Sequence, residues 1–211
     1  MRQRNVKRPL RRLAALLLIL LLVIVILLLR SIRAEKKILE EEHLVSDLNR
    51  RVFVDALTSV RNKGAFANYV QELQGRIDRG EELRFAVGVF DCDNLKTVND
   101  QFGHDKGDVY LKAASRMICR VFQHSPVFRI GGDEFAVILQ NGDYEDPEEL
   151  VRSFEERRKT LCAEAENRWE EVHVAMGVAV YDPLIDHSVI DTVRRADKIM
   201  YADKREKKRK A

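Results

Sequence analysis

The sequence predicts an α+β fold: a split βαβ unit, in the order β-α-β-β-α-β, with an antiparallel sheet, flanking helices and one preceding transmembrane helix. Three observations predict it. Residues 13–29 read LAALLLILLLVIVILLL, without a polar side chain. From residue 63 onward, helical and strand periodicities alternate. Two apolar runs flank Gly131-Gly132-Asp133-Glu134, a hairpin signal with two glycines.

Four segments follow: a basic tail at 1–12, the membrane span at 13–29, a helical connector at 30–52, and a domain at 53–211 that ends in a second basic tail. The span reaches about 25 Å at ~1.5 Å per residue, a little under a hydrocarbon core of about 30 Å. Leu10 and snorkelling Arg11, Arg12 and Arg30 cover the deficit. A secretory signal is disfavoured, because Arg30-Ser31-Ile32-Arg33 is a poor cleavage site. Residues 30–54 contain no Pro or Gly. Ile38, Val45 and Val52 recur every seven residues, with Leu48 at the d position and Glu41 at the preceding d. Two heptads suit a solvated amphipathic connector and a dimer seam equally.

In the domain, Lys63–Arg79 reads as a helix closed by Gly80. Leu83–Phe90 is an almost continuous apolar run and reads as a strand. Asp105–Phe122 is helical, and Val127–Ile130 and Phe135–Leu139 are the arms of the hairpin. Pro147–Ala165 is a helix with Asp146 as N-cap and proline at the first position. Val172–Val180 is the last strand and Val189–Arg209 the closing helix.

Charge is distributed unevenly. The net charge is +3, with +7 in residues 1–30 and +5 in 204–210, which leaves −9 for 31–203. The bulk of the protein is acidic, which argues against a nucleic-acid partner. Cys92, Cys119 and Cys162 share no CxxC spacing, so neither a disulfide framework nor a zinc site is expected, and a reducing compartment suits them.

The first domain strand leads into Asp91-Cys92-Asp93, and the hairpin turn carries Asp133 and Glu134. A split-βαβ sheet sets these two ends side by side. Carboxylates without a His or Cys cluster suit a hard cation such as Mg²⁺. Alone, the DxD stretch is more simply read as a solvated turn. The opposing glycines favour the cation reading, since glycine lets a phosphate or backbone approach closely. Asn94 is placed to begin a short helix toward an anion, with Lys96 adding charge. Asn99 and Asp108 form a polar pair suited to a base. An ionised Asp only accepts hydrogen bonds, and guanine offers adjacent donors at N1 and N2 where adenine does not.

Several segments resemble one family. Gly131-Gly132-Asp133-Glu134-Phe135 is the signature of GGDEF domains, the diguanylate cyclases. Asp55-Ala56-Leu57-Thr58 resembles the family's DxLT opening. DCDNLKTVNDQFGHDKGDVYL at 91–111 resembles its central stretch, with Leu95 in place of an aromatic. Met176-Gly177-Val178-Ala179 resembles its S-x-G strand without the serine, and 196–204 resembles its closing helix. The resemblance covers about 53–205.

It implies a nucleotidyl-cyclase-like fold and the joining of two GTP into cyclic di-GMP by a homodimer, with two Mg²⁺ per site. By matching positions, Asp91, the carbonyl of Cys92 and Asp133 are the implied metal ligands. Asn99 and Asp108 are the implied guanine readers, His104 a substrate contact, and Lys96 and Lys204 phosphate contacts. Asp133 is the implied base or metal-mediated activator of the 3′-hydroxyl, with Glu134 in support. The family's inhibitory RxxD positions hold Phe122 and Ser125, so no product-binding site is expected there. Its Gly-Arg-Asn after the closing lysine is replaced by Lys207-Lys208-Arg209. A catalytically silent module that binds GTP or a protein is the alternative.

GTP chemistry implies a cytoplasmic domain on a single-pass span of a bacterial inner membrane. The basic residues before the span favour a cytoplasmic N-terminus by the positive-inside rule. The chemistry is given precedence, so residues 1–12 are expected outside.

Overall fold

The computed structural model describes residues 22, 27–33, 35–39 and 52–210. The chain divides into two compact units, 1–50 and 51–211. In the first, the described residues are helical and exposed. The expected span at 13–29 and connector at 30–52 lie largely outside the described residues. Among those described, no helix is long and apolar enough to cross a membrane.

The second unit is an α+β fold around a five-stranded sheet. Its elements are β1 (Arg61–Asn62), α1 (Lys63–Asp78), β2 (Ala86–Cys92), α2 (Leu95–Phe102), α3 (His104–Val121), β3 (Val127–Arg129) and β4 (Glu134–Leu139). Then come α4 (Gly142–Glu145), α5 (Pro147–Ala163), a 3₁₀ turn at Arg168–Glu170, β5 (Val174–Val180) and α6 (Val189–Lys210). The strand order is β1-β3-β4-β2-β5. β2 pairs antiparallel with β4 on one side and β5 on the other. All seven of its residues are buried, which is why it reads as an unbroken apolar run rather than an alternation.

Both faces of the sheet are covered. On one, Phe90 meets Tyr110 and Ala114 of α3 and Phe154 of α5 in a single cluster. On the other, Val87 and Val89 cluster with Val70 and Leu73 of α1 and Ala196 and Met200 of α6. Asp146 caps α5 by accepting from Glu149 N–H at 2.9 Å, as its position before Pro147 predicts.

Four details differ from the sequence reading. β2 starts at Ala86 rather than Leu83 and continues through Asp91 and Cys92, so the first carboxylate belongs to the strand. Glu134 is not in the turn but opens β4, paired with Asp91. The helix expected at 105–122 runs from His104 to Val121, and the short helix expected from Asn94 is α2, closed at Gly103, whose φ of 88° suits glycine. The sheet is mixed, because β1 adds two residues parallel to β3. Two residues carry no readable periodicity.

Phe122 is 1% exposed and meets the Phe90 ring edge-on at 5.4 Å. Ser125 Oγ accepts from Gln140 N–H at 3.2 Å. Both positions serve packing and hairpin geometry.

Candidate active site

The end of β2 and the turn between β3 and β4 are adjacent because β2 and β4 pair along their length. Cys92 N–H donates to the Asp133 carbonyl at 2.9 Å, one step beyond the Asp91–Glu134 pair. Asp91 and Asp93 are buried, at 9% and 8% exposure. The Cys92 thiol points into the core cluster. Burial, then the charges of Asp133, Asp91 and Asp93, push its pKa up. It stays a thiol, and only its carbonyl suits a hard cation.

Lys204 of α6 reaches this corner. Its Nζ donates to Asp91 Oδ1 at 2.5 Å and lies 3.6 Å from Asp93 Oδ1. Burial works against its charge, but the bond to Asp91 and the charges of Asp91, Asp93 and Asp133 outweigh it, so its pKa is raised. Asp93 is shifted up, by burial first, with Asp91 adding to it and Lys204 opposing.

A second strut fixes the turn. Arg129 donates to Asp55 Oδ1 at 3.1 Å and to the Gly132 carbonyl at 2.6 Å. Asp55 also accepts from Thr58 N–H and Oγ1–H, at 2.9 and 2.6 Å. Burial raises the Asp55 pKa, but these bonds and the Arg129 charge together lower it. The Asp55–Thr58 opening thus anchors the signature turn. At Gly131 a Cβ would lie 2.4 Å from Glu134 Oε2, so the glycine makes room for that carboxylate.

Asn99 lies against α3: a Cβ on Gly107 would sit 1.9 Å from its Oδ1. Asp108, His104 and Lys96 are exposed. The site residues therefore fall into two groups. Asp91, Cys92, Asp133 and Lys204 converge at the strand ends, with Glu134 beside them. Asn99, His104 and Asp108 lie around the α2–α3 junction. A cavity of about 460 Å³ lies next to the first group, lined by Asp93, Asn94, Arg158, His173, Lys207 and Lys208 among others.

The sequence reading missed Tyr110, which holds the corner together. Its hydroxyl is 2.7 Å from the Asp93 carbonyl and accepts from His173 N–H at 2.8 Å. Lys207, read in the sequence only as a departure from the family pattern, donates to Glu155, to Asp203 and to the Val174 carbonyl, at 2.7, 2.7 and 3.1 Å.

Among the described residues, no three His, Cys, Asp or Glu side chains form a group able to hold a metal unaided. Two carboxylates and a backbone carbonyl still suit a cation that keeps waters and takes phosphate oxygens, the usual habit of Mg²⁺. Asp93 Oδ1, buried and without a hydrogen-bond partner, points the same way.

A family model described as "Diguanylate cyclase, GGDEF domain" matches residues 52–210. The chain belongs to the GGDEF family. A diguanylate cyclase of Vibrio cholerae serotype O1 is 33% identical over 154 residues, covering 72% of this chain and 46% of that protein. The cyclic di-GMP phosphodiesterase NbdA of Pseudomonas aeruginosa is 32% identical over 142 residues, covering 66% of this chain and 18% of that protein. The chain thus spans less than half the length of either. The GGDEF domain of DgcB from Caulobacter crescentus, solved in complex with c-di-GMP, aligns with a TM-score of 0.59 at 28% identity, over 74% of this chain and 89% of that one. In this GGDEF domain the signature residues are the β3–β4 turn and the start of β4.

Proposed function

We propose that this chain is a diguanylate cyclase that condenses two GTP into cyclic di-GMP and releases two pyrophosphates, at a homodimeric site using two Mg²⁺ ions. The observation that supports it most is the corner where Asp91 and Asp93 stand beside the Asp133 turn and Lys204. Asp91, the Cys92 carbonyl and Asp133 would hold the cations. When bound, these neutralise charge on the attacking and leaving oxygens.

Each subunit holds one GTP. Asn99 and Asp108 read the guanine edge, Asp108 by accepting from N1 and N2. Lys96, Lys204 and His104 orient the phosphates and sugar. Asp133 takes the proton of the 3′-hydroxyl, or would hold a cation beside it, and Glu134 supports the attacking hydroxyl. Each oxygen then bonds to the α-phosphorus of the facing nucleotide, and the bond to pyrophosphate breaks. One active site cannot close the ring alone, so two subunits must meet.

We also place one membrane span at 13–29, with the catalytic domain on the cytoplasmic side of a bacterial inner membrane. The similarity to NbdA, named for the opposite reaction, supports a second reading: a silent module that binds GTP or a protein. Incubating the full chain in detergent with GTP and Mg²⁺, and separating the nucleotides, decides between them. Cyclic di-GMP is expected. GTP binding without product supports the silent module.

A further inference from the structure

The carboxylates at the strand ends are neutralised from within the chain. Lys204 Nζ lies 2.5 Å from Asp91 Oδ1 and 3.6 Å from Asp93 Oδ1, with the lysine side chain 23% exposed. An ammonium and a divalent cation seek the same oxygens. The lysine bonds one carboxylate closely and reaches the other only at a distance: Asp93, 8% exposed, keeps a buried Oδ1 with no hydrogen-bond partner. A buried carboxylate oxygen in that state is costly until a cation or donor reaches it.

The closing helix does not depend on this contact for its docking. Asp203 accepts from Met176 N–H of β5 at 3.0 Å, and Lys207 binds Glu155 of α5 at 2.7 Å. Gly177 lets the α6 backbone lie directly on β5. The Lys204 ammonium, on a flexible four-carbon stem, is therefore free to leave while its helix stays.

We propose that Lys204 is an internal counter-ion, which occupies Asp91 in the empty domain, competes there with a divalent cation, and is released by that cation toward an anionic ligand. This rests on reading the corner as a divalent-cation site. Two consequences follow. Metal alone binds weakly, because it must displace a charge already paired. Metal and a triphosphate bind cooperatively, because the displaced ammonium gains a new partner.

The test uses Mn²⁺ as the probe, the full chain in detergent micelles and no nucleotide, with free Mn²⁺ counted by electron paramagnetic resonance. Lys204→Met is expected to bind Mn²⁺ at least about tenfold more tightly than the parent, since a unit charge at this spacing opposes the ion strongly in a half-buried site. Equal or weaker binding by a folded variant overturns the proposal. A second measurement needs no variant. The reductive methylation rate of Lys204, read by mass spectrometry against exposed Lys112, is expected to rise at least about threefold with Mn²⁺ alone. An unchanged rate under Mn²⁺ saturation overturns the proposal. A chain that shows both effects but makes no cyclic di-GMP would refute the cyclase reading and leave the counter-ion standing. Product without either effect does the reverse.

Discussion

Asp133 sits in a turn, half-buried, outside both core clusters. Truncating it leaves no apolar cavity, so its removal separates chemistry from folding. Asp133→Ala is expected to lower turnover at least about a hundredfold, the scale of losing one charged group at a reacting centre. Its unfolding free energy should stay within about 0.5 kcal/mol of the parent. Product formation and denaturant unfolding check the two halves; unchanged turnover removes Asp133 from the mechanism. Phe122 carries a second residue-scale prediction. A buried aromatic offers cyclic di-GMP neither charge nor guanidinium fork. Product inhibition is therefore expected to be weak, and submicromolar inhibition in an initial-rate assay would reveal a product site elsewhere. Asp91 and Asp133 were legible because carboxylates at a strand end and a glycine turn are a local pattern. The Tyr110–Asp93 and Arg129–Asp55 contacts span 17 and 74 residues of sequence, and only the folded sheet brings them together.

Elements were legible where one face or both faces are buried over a long run. β2, β4, β5, α3 and α6 each left such a pattern, while α5, with only Phe154 buried, was legible from Asp146 and Pro147 at its start. The two-residue β1 left none, since two residues carry no period. Gly177 shows how an element can depend on one absent atom. A Cβ there would lie 2.2 Å from the Ala196 carbonyl oxygen and 2.3 Å from Met200 N, both backbone atoms of α6. The helix would have to lift from β5. Gly177→Ala is expected to cost about 3 kcal/mol, the upper range for overpacking, lowering the melting temperature by roughly 6–12 °C at this size. Gly75→Ala in α1 is the control. Its added methyl meets only the Arg79 side chain at 3.5 Å, and a helix-interior glycine exchanged for alanine stabilises by about 0.5–1 kcal/mol. A calorimetric scan of both variants gives opposite signs if the account of Gly177 is right.

At the scale of the molecule, the charge distribution and the chemistry pull in opposite directions. Six basic residues precede the apolar run, and Arg30, Arg33, Lys36 and Lys37 follow it. Counted alone, they favour keeping the N-terminus in the cytoplasm. On the proposed reading a domain that uses GTP is itself there, and residues 1–12 are then expected outside. The proposed reaction adds a second constraint, because in it two half-sites face each other for the ring to close. The proposed span would raise the frequency of such encounters by confining the copies to a surface. The unit 51–211 produced alone should then show what the proposed tether supplies: its rate per subunit is expected to rise with protein concentration until dimers saturate. A flat rate per subunit would mean either a monomeric reaction or a dimer too tight to dissociate, and sedimentation separates these. Orientation is decided by fusions to the C-terminus of the full chain. A fluorescent protein that matures only in the cytoplasm should glow, and a phosphatase active only outside should stay silent. The reverse pattern would place the domain away from GTP, and the charge count would then have outweighed the chemistry.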